Sequence, residues 1–250
     1  KSPVASEVLS QPQIDDDLVV VQSIDGKVAA YDAIDGSRKW VYTTNIPSLT
    51  LRGTATPIIS GDVILVGFSS GRVALLERET GFSGLDYRVG VAQGDSDLER
   101  LVDIDGAMAM ENGRLYAASF QGRIIGIDIA SGRILWSEEA SSVSGVGTGF
   151  GNVYLASSDS QISAYNADNG REVWRVDALL HRDITAPVAM GSYLAFTDFE
   201  GYLHLMAQSD GRFVGRRKID GSGVRSGVVV EGDRLDAMGN KGSLFVLEIR

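Results

Sequence analysis

Three stretches of this 250-residue chain hold residue types that can do chemistry. "SGVGTGFG" (144–151) has the glycine density of a loop that cradles phosphate. "HRD" (181–183) has the letters of a kinase catalytic loop, and "DID" sets Asp103 and Asp105 two residues apart as a carboxylate pair. Each chemistry needs a supporting element. A phosphate loop must open a helix, and in its P-loop form it carries a lysine. Neither follows residue 151, so a strand of small residues near a crowded axis explains that stretch better. A kinase loop needs a glycine-rich nucleotide loop, a DFG triplet and a helical lobe. None is present, and "HRD" reads as a loop before the strand "ITAPV". The two histidines, His181 and His204, lie in different parts of the pattern described next, and their spacing to other donors is not that of metal ligands.

The elements that position these residues follow from an internal repeat. "DGKVAAYDAIDGSRKW" (25–40) recurs as "QGRIIGIDIASGRILW" (121–136) and "SQISAYNADNGREVW" (160–174). Weaker copies begin near 70 and 200, and a sixth opens at "KGSLFVLEIR". In each complete copy two markers stand ten residues apart: Gly26 and Gly36, Gly71 and Gly81, Gly122 and Gly132, Ser160 and Gly170, Gly201 and Gly211. Four residues past the second marker stand Trp40, Trp136 and Trp174, with Leu85 and Gly215 in the weaker copies. The first markers step by 45, 51, 38, 41 and 41 residues, and about 40–45 residues per unit is the period of a four-stranded propeller blade.

One unit can be read strand by strand. "TPIIS" (56–60) is innermost, "DVILVGFSS" (62–70) is apolar enough to be buried on both faces, "RVALLERE" (72–79) is third and "FSGLDYRV" (82–89) outermost. Gly71 and Gly81 take the turns. No segment of ten residues shows helical periodicity. The fold class is therefore all-β, a propeller of four-stranded antiparallel blades. The tryptophans read as packing between blades, because each recurs at one structural position; a ring for stacking on a quinone or sugar is the sharper alternative. The last unit ends after its third strand. "SPVASEVLSQP" resembles the end of a fourth strand, a loop and a new first strand. That predicts either closure of a ring by the chain ends or a portion of a larger ring.

Composition narrows the function. A chain 44% hydrophobic and 22% charged folds. Its net charge of −10 argues against nucleic acid and anionic lipid headgroups, which reward basic patches. No apolar run is long enough for a membrane-spanning helix, and no N-terminal stretch reads as a signal peptide. With no cysteine there is neither a disulfide nor a thiol nucleophile. Acidic residues such as Asp32, Asp128 and Asp168 fall at turns, where turn chemistry accounts for them.

The Asp–Gly-x-x-x-Trp repeats resemble those of quinoprotein-type propellers. More narrowly, "PSLTLRGTATP", "LERLVDID", "LLHRDITAPV" and "DFEGYLHLMAQSDGRFV" resemble the BamB family over nearly the whole chain. The resemblance implies an eight-bladed propeller on the periplasmic side of the bacterial outer membrane, held by a lipidated N-terminal cysteine. It implies a non-catalytic scaffold that docks on the POTRA domains of the barrel-forming subunit, BamA, and helps β-barrel proteins insert, with unfolded outer-membrane proteins as further partners. It implies no cofactor and no metal. This sequence departs from the family in having about six units and no such cysteine. Residues 1–250 are thus expected to be a single propeller domain, or a large portion of one, lacking the anchor and the first blades. Two alternatives stand beside this reading: a quinone-dependent dehydrogenase, and a propeller binding another envelope protein. The dehydrogenase would need a cation site and an axial carboxylate, and no such constellation is evident.

Two loops stand out against the repeat. "NIPSLTLRG" (45–53) and the longer "VAQGDSDLERLVDIDGA" (91–107) both join the fourth strand of one blade to the first of the next, so they should be neighbours on one face. They bring together Leu49, Leu51 and Arg52 with Asp103 and Asp105. Spacing alone leaves two readings open: leucines that plug the gap between blades with Arg52 paired internally to an aspartate, or an exposed apolar surface with charges beside it. The resemblance implies the second, with these five residues holding BamA.

Overall fold

The computed structural model describes residues 2–4, 6–51 and 53–248. Among these residues twenty-three strands form six separate antiparallel sheets, five of four strands and a last of three, each built from consecutive strands. The sheets cover residues 13–43, 58–88, 109–140, 145–176, 188–218 and 229–248. The expected reading of the second unit holds: Ile58–Ser60, Val63–Phe68, Arg72–Glu77 and Ser83–Arg88 are its four strands in order. The second strand is almost wholly buried, because it has a neighbouring blade on each face. "SGVGTGFG" supplies Gly145–Gly149, the innermost strand of the fourth blade. A Cβ on Gly147 would lie 1.9 Å from the carbonyl oxygen of Pro187, so the close approach of neighbouring first strands requires glycine there.

Five apolar clusters show how the blades stack. One lies between each successive pair, from Val20, Val28, Val66 and Phe68 between the first two blades to Leu203, Val228 and Leu235 between the last two. The tryptophans bridge these interfaces as expected. Trp40 donates its indole N–H to the carbonyl of Arg78 at 2.8 Å, Trp136 to Ala167 at 2.9 Å and Trp174 to Gln208 at 3.0 Å. Each ring lies against the second marker glycine of the next blade: a Cβ there would come within 2.4 Å of Trp40 at Gly81 and within 2.7 Å of Trp136 at Gly170. That glycine is therefore both a turn residue and a landing site for its neighbour's indole. Leu85 and Tyr87 fill the same place against Gly132.

The other turn marker tolerates substitution. Ser160 keeps a φ of 68° like the glycines it replaces, and in the third blade the positive φ falls on Gln121 rather than Gly122. Asp32 and Asp128 accept turn N–H groups, as their positions predict. In the fourth blade Asn166 does this work, while Asp168 pairs with Arg114 of the blade before. At the start of the chain, Ser2 meets Gly36 as Trp40 meets Gly81, and the Tyr31 hydroxyl donates to the carbonyl of Pro3 at 2.9 Å. The last sheet consists of Val229–Glu231, Arg234–Met238 and Leu244–Glu248, and among the described residues no strand from the chain start joins it.

Candidate functional site

The two unusual connections lie side by side. The backbone N–H of Leu51 donates to the Asp103 carboxylate, and Gly53 sits so close to Asp105 that a Cβ would be 2.7 Å from its carboxyl carbon. Between the two aspartates, Ile104 is driven into the core. It packs at Gly67 and Ala55 and belongs to the cluster between the second and third blades. Ile104, not either leucine, is thus the plug. Leu101 and Val102 are buried with it. Ile104 is anchored by its N–H on the Phe68 carbonyl, and Asp103 beside it lies beneath the 45–53 loop with its carboxylate on the Leu51 N–H.

The five expected residues fall in different places. Leu49 is 40% exposed and Leu51 half-buried, on the rim. Asp103 is only 1% exposed and holds the loop from below, so it positions Leu51 rather than offering its own carboxylate to a partner. Asp105 is half-buried and faces an axial cavity of about 810 Å³ whose wall includes Thr56, Ser144 and Asp183. Arg52 lies outside the described residues. Around the rim, Val91 and Leu98 add exposed apolar surface, and the Glu99 carboxylate takes the N–H groups of Asp95 and Ser96 at 3.0 Å, closing the tip of the longer loop into a turn.

The electrostatics of the pair are unusual. Burial pushes the Asp103 carboxyl up to about 6, against the opposing hydrogen bond from Leu51 N–H. Burial, with repulsion from Asp103 added, pushes Asp105 up to about 7. One oxygen of each has no hydrogen-bond partner among the described residues. Groups perturbed in this way concentrate at functional sites, because packing alone gives no reason to bury two acids together.

Sequence reasoning missed a second cluster. His204 is fully buried, with Nε2 2.8 Å from Oδ2 of Asp198. Arg182, of the "HRD" letters, reaches the same carboxylate from the loop before the fifth blade and also pairs with Glu200. Its neighbours His181 and Asp183 both adopt positive φ. The available signal was the repeat itself: where His204 stands, the other blades have Ala29, Ala74, Ile125, Ser163 and Phe245, none of them titratable.

Fold and site together define a β-propeller of tryptophan-docked repeats whose distinctive surface is carried on loops of one face. The family model described as outer membrane protein assembly factor BamB matches residues 1–175 and 158–250, and the chain belongs to that family. It is 42% identical over 207 residues to the assembly factor BamB of Pseudomonas aeruginosa, covering 83% of this chain and 54% of that protein. It is 35% identical over 242 residues to that of Yersinia pestis, covering 97% and 62%. The crystal structure of BamB from Moraxella catarrhalis superposes with a TM-score of 0.93 at 31% identity, over 98% of this chain and 74% of that one. The chain spans 54–62% of the length of these two curated relatives.

Proposed function

We propose that the chain acts as a non-catalytic scaffold in outer-membrane protein assembly, on the periplasmic side of a membrane to which the intact protein is lipid-anchored. Its docking surface for the POTRA domains of BamA is the paired-loop rim: Leu49, Leu51 and Arg52 are the contact residues, and Asp103 and Asp105 are the charges that set them. The observation that carries this is the Leu51 N–H bond to buried Asp103. It ties a partly exposed leucine pair to the rigid core between two blades, so the anchors are ordered before a partner arrives. Interface energy concentrates in a few apolar and arginine anchors ringed by contacts that exclude water. The polar groups set specificity and encounter rate more than net affinity.

Leu51→Ala and Arg52→Ala are each expected to weaken binding to the POTRA domains by about 1–3 kcal/mol, read by co-purification and titration calorimetry. Normal binding by both variants would move the docking surface elsewhere. Unfolding of both would make the loop structural. In this reading the chain carries no reaction. After reconstitution with a quinone cofactor and calcium, dye-linked oxidation of simple alcohols or sugars is expected to stay at background, and robust turnover would overturn it.

A further inference from the structure

We propose that the outer wall between the fourth and fifth blades carries a second binding site, for an extended polypeptide segment that presents a carboxylate beside an aromatic or aliphatic side chain. A cavity of about 420 Å³ opens there, lined by Ala178, Leu179, His204, Phe213, Val214 and Arg216. Its floor is His204, in a position where the other blades carry Ala, Ala, Ile, Ser and Phe. The imidazole stacks on Phe196 at 5.3 Å and gives Nε2 to Asp198, while its buried Nδ1 has no hydrogen-bond partner among the described residues. Burial outweighs the pull of Asp198 and keeps the ring neutral. Asp198 stays ionised, because the bonds from His204, Tyr202 N–H and Arg182 outweigh its own burial. Nε2 therefore carries the proton, and Nδ1 is left as an acceptor at the floor of the slot.

The rim selects an anion. Arg216 and Lys218 lie over the Tyr202 ring at 5.0 and 5.2 Å, with Arg182 at 5.7 Å. Arg182 is balanced by Asp198 and Glu200. Among the described residues neither Arg216 nor Lys218 forms an ion pair, in a chain of net charge −10. Unbalanced positive charge beside an apolar slot suits a carboxylate next to an apolar group. A polypeptide fits better than a small acid because the rim strand, Phe213–Lys218, is the outermost of its blade and among the described residues pairs on one edge only, with Tyr202–Ala207. Its free edge can accept an extended segment by strand addition while a side chain enters the slot.

The test uses the whole chain and two fluorescein-labelled peptides with both ends blocked, rich in Ser and Thr, one with a central Phe–Asp pair and one with Phe–Asn. Fluorescence anisotropy should show the Phe–Asp peptide binding about tenfold more tightly, with the advantage shrinking in high salt. Exposed Arg216 can be removed without disturbing the core. Arg216→Ala should abolish the preference, whereas Arg217→Ala, on the other face of the same strand, should keep it. Equal affinity for the two peptides, an Arg216→Ala variant that binds like the parent, or equal loss in both arginine variants would each overturn the proposal. Leu51→Ala should leave peptide binding unchanged, so failure here is distinguishable from failure of the docking surface.

Discussion

Trp136→Ala is expected to cost about 3–5 kcal/mol of unfolding free energy, the range for truncating a large buried aromatic. The indole is nearly buried, with ring centroids 5.9 Å from Tyr116 and 6.5 Å from Tyr165. Gly126 lies on one side and Gly170 on the other, each so close that a Cβ would stand 2.7 Å from the ring. Neither glycine has a side chain that could lean into the void, so the cavity stays open and the cost falls at the upper end. Loss of the N–H bond to Ala167 leaves that carbonyl with the longer bond from the Tyr116 hydroxyl, at 3.3 Å. Because blades touch only their neighbours, the damage should concentrate between the third and fourth blades. Urea unfolding followed by far-UV circular dichroism measures the total, and hydrogen exchange locates it. Trp136→Phe keeps much of the packing and should cost about 1–2 kcal/mol less than the alanine variant. A loss below about 1 kcal/mol for Trp136→Ala would show that the interface closes over the gap and that the indole is not an inter-blade fastener.

The architecture was legible because a propeller writes its period into the chain. Glycines ten apart and an indole four residues later are local requirements of two hairpins and one outer strand, so they survive in every strong copy. What was not legible needed two blades at once. Gly81, Gly170 and Gly211 read as turn residues, and their second role appears only when the preceding blade's Trp is laid against them. The candidate surface was half legible. Length and two leucines flagged the loops, but the pattern of 101–105 does not say which residue enters the core. Ile104 takes that place with its N–H on the Phe68 carbonyl, and Leu101, Val102 and Asp103 are buried with it. The Asp198–His204–Arg182 cluster joins a loop to a hairpin through a backbone turn with two positive φ values, which no periodicity announces.

Asp105→Asn is expected to stabilise the folded chain at pH 8, by on the order of 2–4 kcal/mol. Its carboxyl stands at about 7 in the fold, against an ordinary value of 3.8, chiefly through burial and then through the charge of Asp103, which itself stands at about 6. Between pH 4 and 7 the folded state therefore holds protons that the unfolded chain has released. Stability must fall as pH rises through that window, and above it both carboxylates are ionised in the fold at a cost. Below pH 4 the trend reverses, because groups held low in the fold, Asp198 among them, begin to protonate. An asparagine at 105 keeps the shape and removes the charge, so the slope should flatten and the gain should appear only on the alkaline side. Asp103→Asn should act in the same direction, since an amide oxygen can still accept the Leu51 N–H, but less, because burial raises its carboxyl only to about 6. Urea midpoints of the parent and both variants at pH 5 and pH 8 decide this. A penalty of this size on a solvent-facing loop, removable by one amide, is what a surface kept for binding rather than for stability should show. If Asp105→Asn is instead less stable at pH 8, the ionised carboxylate is already satisfied in the fold by a cation, and Arg52, one residue from Gly53, is the group that should supply it. Arg52 would then be an internal partner, and the contact surface would reduce to Leu49 and Leu51.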